Sequence, residues 1–138
     1  MSPDSESVVI GLDSSTQSTK AIAWNRRGRM VAEGRASIAL ANPRLDCFEQ
    51  DPEDWWRACC LALRQCVAQI GPERVTALAI SNQRETIAFL DEKGASLHPA
   101  IVWLDERARA EVAAFSHALG AETIHRITGR PPDITPCL

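Results

Sequence analysis

The chain has 138 residues, 45% of them hydrophobic and 24% charged, with a formal net charge of −3. That is enough to bury one core, and its scattered Lys and Arg form no basic stripe of the kind a nucleic-acid partner needs. No apolar run approaches the roughly 20 residues of a membrane-spanning helix, and Met1 to Ser7 is polar and acidic, unlike a secretory signal.

Residues 1–7 are expected to be a disordered N-terminus. Val8 to Leu12 is a short apolar run ending in Asp13, which predicts a buried strand. Ala21 to Trp24 predicts a second strand, Asn25 to Arg29 a hairpin loop around Gly28, and Met30 to Leu40 a third strand. The start of the domain is therefore an antiparallel three-strand meander. Ala41 to Gln50 is expected to be a loop. A helix follows, with Asp51 as its cap, Pro52 in the first helical position and Asp54 in an acidic first turn. Trp55, Cys59, Leu63, Cys66 and Ile70 recur at helical spacing and predict its buried face, and Gly71-Pro72 stops it.

Val75 to Ile80 is almost wholly apolar, as expected of a strand covered on both faces. Thr86 to Leu90 predicts another strand and Asp91 to Gly94 its turn. Ala100 to Trp103 leads into a second helix on which Ala108, Val112, Phe115 and Leu119 share a face. Ala121 to Thr128 predicts a short helix ended by Gly129. There is no internal repeat. Arg130 to Leu138 contains three prolines and completes no element, so the expectation is a domain cut short, with exposed apolar surface and a tendency to associate.

Five cysteines, Cys47, Cys59, Cys60, Cys66 and Cys137, have neither disulfide-framework nor zinc spacing. They read as reduced small core residues in a cytoplasmic protein. His98, His117 and His125 show no partner spacing for metal or nucleophile work.

Three segments can carry chemistry. Gly11 to Lys20 places an acid at a strand end, followed at once by Ser14, Ser15, Thr16, Ser18 and Thr19. Such a turn can present N–H groups and hydroxyls to a phosphate while the carboxylate holds magnesium, although the Gly-rich Walker pattern is missing and a plain hairpin uses the same residues. Ser81-Asn82-Gln83-Arg84-Glu85 follows the apolar strand, where open α/β sheets bind ligands; Arg84 donates and Glu85 accepts hydrogen bonds, as a polyol requires. A solvated loop with a local ion pair is the alternative. Trp103-Leu104-Asp105-Glu106-Arg107 offers an indole wall and a carboxylate, or equally a core tryptophan and a helix cap.

In this order and spacing, Gly11-Leu12-Asp13 with Thr16, Glu49-Gln50-Asp51-Pro52 with Trp55-Trp56, Ser81 to Glu85, and Ala100 to Trp103 resemble the N-terminal domain of the FGGY carbohydrate kinases, over about Val8 to Leu138. The resemblance implies an α/β fold with an RNase H-like, actin-type ATPase core, truncated, in which 8–138 is the incomplete N-terminal domain and the second nucleotide-binding domain is absent. It implies ATP and Mg2+ as cofactors and a small sugar or polyol as substrate, with neither nucleic acid nor membrane as partner, and it leaves room for a homo-oligomer of the full-length parent. Asp13 would stand beside the metal, with Thr16, Ser18 and Lys20 near the nucleotide phosphates. Arg84, Glu85, Trp103 and Asp105 would bind the acceptor, with Arg107 completing a W-x-D-x-R pattern. The general-base aspartate is implied beyond residue 138, so this chain alone is expected to be inactive. Lys20 stands where glycerol kinases carry arginine, Gln17 replaces a hydroxyl residue, and no tyrosine lies near Asp133 to Thr135. The acceptor stays open among glycerol, erythritol, xylulose and similar molecules. The alternatives are a non-catalytic remnant or binding fragment of such a kinase, and another actin-like ATPase, which would not explain Asn82 to Glu85 with Trp103.

Overall fold

The computed structural model describes residues 7–135. The expected disorder of 1–7 therefore falls outside the described residues except at Ser7, whose hydroxyl accepts from Arg26 Nε at 3.3 Å. Cys137 lies outside them too. In chain order the elements are β1 (Val8–Ser14), β2 (Ser18–Asn25), β3 (Met30–Ser37), β4 (Glu49–Gln50), α1 (Pro52–Val67), β5 (Val75–Asn82), β6 (Ile87–Leu90), β7 (Ser96–Ile101), α2 (Arg109–Leu119) and α3 (Ala121–Thr128). They fall into two compact units, residues 7–39 with 51–83 and residues 40–50 with 84–135.

The first unit is a four-stranded sheet of order β3-β2-β1-β5 with α1 packed on it. The predicted meander is present: β1 with β2 and β2 with β3 are antiparallel. Asn25 closes the β2–β3 hairpin by accepting the N–H groups of Arg27 and Arg29 on Oδ1, both at 3.0 Å. Gly28, at φ +70°, supplies the left-handed turn residue. β5 joins parallel to β1, a pairing that needs a crossover such as α1 provides.

Alternation along the strands decides which face is covered. Val8, Ile10 and Leu12 of β1, Ala21 and Ala23 of β2, and Ala32 and Ala36 of β3 are buried with Ala58, Ala62 and Cys66 of α1. The helix begins as predicted, with Asp51 Oδ1 accepting the Glu53 N–H at 2.9 Å and Pro52 in the first turn. Of the expected Trp55-Cys59-Leu63-Cys66-Ile70 stripe, Cys66 and Ile70 are buried, but the line shifts at Trp55, Cys59 and Leu63. Those residues are half-buried on the flank, and Ala58, Ala62 and Cys66 form the seam. Gly34 is the reason. A Cβ there would lie 2.0 Å from the Ala62 carbonyl oxygen and 2.8 Å from Cys66 N, so helix and strand meet backbone to backbone and only small residues fit between them.

Val75 to Ile80 was expected to be covered on both faces, and for the described residues this is corrected. β5 is the outermost strand of the sheet, and Thr76 to Asn82 are all exposed, Leu78 to 48% and Ile80 to 65%. An uncharged apolar run carries the same pattern whether or not a layer lies over it, whereas α1 packs over β2 and β3.

The second unit is built on an antiparallel sheet of order β4-β7-β6. The expected loop 41–50 contains β4, and Ala41 makes an isolated bridge to Glu49. Ala100 and Ile101 close strand β7 instead of leading directly into a helix. Between β6 and β7, Asp91 Oδ1 accepts from Lys93 and Ala95 N–H at 2.8 Å, with Gly94 at φ +81°. Phe115 and Leu119 of α2 share a face as predicted, yet both remain about half exposed. α3 ends at Gly129 in the left-handed region, as the sequence indicates.

The seam at Gly34 gives a direct test by urea unfolding. Gly34→Ala is expected to destabilise the fold by about 2–3 kcal/mol through overpacking. Gly11→Ala, which meets nothing within 4 Å, should stay within about 0.5 kcal/mol of wild type. Equal effects would refute the close approach.

Candidate functional site

In the first unit, the strand face turned away from α1 carries the expected phosphate-side residues. Asp13 at the end of β1 is exposed and lies directly opposite Lys20 of β2 in the antiparallel register. Both border a hollow of about 370 Å³ floored by Gly11 and walled by Ile22, Trp24 and Ser81. The turn between them is fixed by Ser15 N–H to Ser18 carbonyl, 3.0 Å, and by Ile38 N–H to Gln17 carbonyl, 2.9 Å. Ser15 Oγ donates to Asp13 Oδ2 at 2.8 Å, which holds the carboxylate at the turn. Thr16 is half-buried in that turn, and neither it nor Ser18 borders the hollow.

Two residues not singled out from the sequence organise this face. Lys20 Nζ pairs with Glu33 Oε2 at 3.3 Å, and Arg35 Nη2 donates to Ser18 Oγ at 3.2 Å. Glu33 and Arg35 alternate with the buried Ala32, Gly34 and Ala36 along β3. That period of two was the signal that could have found them.

In the second unit, the Arg84 to Thr86 segment runs beside Trp103. Thr86 Oγ1 accepts the Trp103 N–H at 3.2 Å, next to the Ile87–Ile101 pair of β6 and β7. Arg84 is exposed, and Trp103 is 41% exposed. Glu85 has φ +65°, rare for a residue with a side chain, and its carboxylate pairs with Arg130 Nη1. Arg130 is a further residue that sequence reasoning passed over.

Asp105 is placed otherwise than expected. It is 2% exposed, and its carboxylate is spent on internal partners. Oδ2 accepts from the Phe48 N–H at 2.7 Å and from Arg107 Nη2 at 2.8 Å. Oδ1 accepts from Arg107 Nε at 2.8 Å and from the Arg107 N–H at 3.0 Å. Arg107 also reaches Glu49 Oε1 at 2.8 Å. A carboxylate so bonded has little capacity left for substrate hydroxyls, and the residue acts as a clamp on the end of β7. Burial pushes the Asp105 pKa up, but hydrogen bonds from the Arg107 side chain, the Phe48 N–H and the Arg107 N–H, with the Arg107 charge, outweigh it and hold the carboxyl below its usual value. The hydrogen bond to Asp105 in turn pushes Arg107 above the ordinary guanidinium range.

Among the described residues no group of three or more His, Cys, Asp or Glu side chains is placed to hold a metal ion, and no helix is long and apolar enough to cross a membrane.

The profile of the FGGY family of carbohydrate kinases, N-terminal domain, matches residues 8–135. The chain belongs to that family. It is 37% identical over 123 residues to a glycerol kinase of Methylorubrum extorquens, a match covering 87% of this chain and 25% of the relative. It is 33% identical over 127 residues to an apulose kinase of Pectobacterium atrosepticum, covering 91% and 26%. The solved structure of a xylulose kinase from Rhodospirillum rubrum superposes with a TM-score of 0.86 at 28% identity, over 93% of this chain and 27% of that one. The fold is thus the α/β fold of the actin-like sugar kinases, and the chain spans about a quarter of the length of the relatives it matches.

The Asp105 clamp predicts a pH effect with a definite sign. Its folded pKa is depressed, so its stabilisation is complete above the ordinary aspartate value of about 4 and is lost as pH falls through the folded value. Asp105→Asn is expected to lower stability at pH 7 by about 3 kcal/mol and to flatten the acid limb of stability against pH. Denaturant midpoints measured from pH 3 to pH 7 would check this. An unchanged acid limb would refute the clamp.

Proposed function

We propose that this chain supplies the phosphate-facing and acceptor-facing residues of an ATP-dependent carbohydrate kinase, which transfers the γ-phosphate to a hydroxyl of a small sugar or polyol. The observation that carries the reading is Asp13: an exposed carboxylate at the end of a sheet strand, joined to a hydroxyl-rich turn, in a chain of the FGGY family. Phosphoryl transfer asks a protein mainly for positioning and charge stabilisation. Ser15 holds the Asp13 carboxylate at the turn, while Lys20 and the Ser18–Arg35 pair put cations on the same sheet face.

Mg2+ fits this donor set. It usually keeps several waters and needs only one or two carboxylates besides the nucleotide phosphates, and Asp13 offers one. Bound there, it would supply charge neutralisation to the phosphates. Arg84 and Glu85 would exchange hydrogen bonds with acceptor hydroxyls, and the half-exposed Trp103 would cover a carbon face. Asp105 would act only through its hold on the end of β7. On this reading the general base lies outside this chain, and its residues bind and orient but do not take the acceptor proton. Four described cysteines are free thiols, in keeping with a cytoplasmic setting.

The test is magnesium-ATP-dependent phosphorylation by the full reading frame that carries this chain, against glycerol, erythritol, xylulose and related polyols. Asp13→Ala should lower kcat by about a hundredfold or more. Arg84→Ala should raise the acceptor KM by about tenfold or more and leave the ATP KM unchanged. A folded protein inert on every acceptor would sink the proposal and favour a non-catalytic binding fragment.

A further inference from the structure

Arg130 sits just beyond α3. Gly129, at φ +75°, turns the chain out of the helix, and the Arg130 N–H donates to Thr128 Oγ1 at 3.1 Å. That hydroxyl donates in turn to the carbonyl of Ile124 at 2.9 Å, and Ile124 is 2% exposed. The backbone of Arg130 is thereby tied to the last turn of α3. Its guanidinium reaches back across the chain to Glu85 Oε1.

Glu85 is an unusual partner. It stands in left-handed backbone, a conformation that a residue with a side chain keeps only where its surroundings hold it. Its side chain is 19% exposed, against 43% for Arg130, so the carboxylate is the more enclosed member of the pair. An ion pair with one such exposed partner contributes little to stability, but it can fix the direction of a carboxylate.

We infer that Arg130 is a positioning residue for the acceptor: it engages Oε1 of Glu85, sets the carboxylate's orientation, and leaves Oε2 to accept from hydroxyls of a neutral sugar or polyol. This rests on the proposed function of Arg84 and Glu85. It adds a specificity element, because a carboxylate held in one orientation selects where an acceptor hydroxyl can sit.

The experiment is steady-state kinetics of the full-length protein bearing Arg130→Gln, Arg130→Lys, Glu85→Gln and the Arg130→Gln/Glu85→Gln double change. Arg130→Gln is expected to raise the acceptor KM about tenfold or more, with the ATP KM unmoved and the thermal midpoint within about 4 °C of wild type. Arg130→Lys should restore most of the loss, since it keeps the charge. The double variant should be no worse than Glu85→Gln alone, because the two residues act as a unit. Wild-type turnover with an acceptor KM unmoved in Arg130→Gln overturns this inference and leaves the kinase reading standing. Additive losses in the double variant do the same. A wild type that phosphorylates no acceptor overturns the functional reading and this inference with it.

Discussion

The close approach of α1 to β3 at Gly34 governs what the first sheet can present. With backbone against backbone at the seam, β2 and β3 offer small residues, Ala21, Ala23, Ala32 and Ala36, to Ala58 and Ala62 of the helix, while Val8, Ile10 and Leu12 of β1 fill the rest of that face. Because side chains alternate along a strand, committing one face to the helix leaves Asp13, Ser18, Lys20, Glu33 and Arg35 to the other. The polar row is therefore a consequence of the core. A register slip of one residue in β1 or β2 would bury Asp13 or Lys20 against alanines and expose the core residues in their place.

A comparable constraint acts in the second unit through Asp105. Removing a carboxylate and a guanidinium from water is expensive, and the expense is met only when every lone pair finds a donor. Asp105 accepts four hydrogen bonds, two of them from backbone N–H groups. The Val102 N–H to Phe48 carbonyl bond, 3.0 Å, lies alongside. Together they fix the end of β7, and Trp103 emerges from that fixed point with its own N–H held by Thr86. Losing the Asp105 carboxylate would therefore release the backbone that aims the indole, which is a different fault from losing a hydroxyl contact.

Local chemistry made much of this legible in the sequence. The meander, the Asp51-Pro52 helix start, the Asp91 turn and the Gly129 stop follow from turn and cap residues that act within a few positions. The elements that escaped depend on distant partners. The two-residue strand β4 exists only because β7 pairs with it, and the displaced seam of α1 depends on a glycine some 30 positions earlier in the chain. The exposure of β5 among the described residues was not legible, because hydrophobicity reports what a strand tolerates and not what covers it. The same division runs through the candidate site. Asp13, Ser18, Lys20, Arg84, Glu85 and Trp103 were named from motifs, whereas Glu33, Arg35 and Arg130 touch Lys20, Ser18 and Glu85 only across strands or past a helix end. Asp105 was named, but its clamp role needed Phe48 and Arg107 to be seen around it.

The charged groups on the open sheet face satisfy one another, and weakly. Lys20 and Glu33 are each about 40% exposed at 3.3 Å, and Arg35 holds Ser18 through a neutral hydroxyl. Exposed pairs of this kind are worth only about 0–1 kcal/mol, so they keep the cations in place without binding them tightly. A phosphate, with more charge and more acceptor oxygens than Glu33 or Ser18 can offer, would displace these partners at small cost. Glu85, proposed to face the acceptor, is held on the opposite principle. Glu85 sits in left-handed backbone and pairs with Arg130, whose backbone N–H is held past a helix end, so the proposed orientation of its carboxylate precedes any ligand. Loosely held cations suit an anionic ligand that brings its own strong field. A rigid carboxylate suits a neutral one, which can be distinguished from its relatives only by where its hydroxyls point.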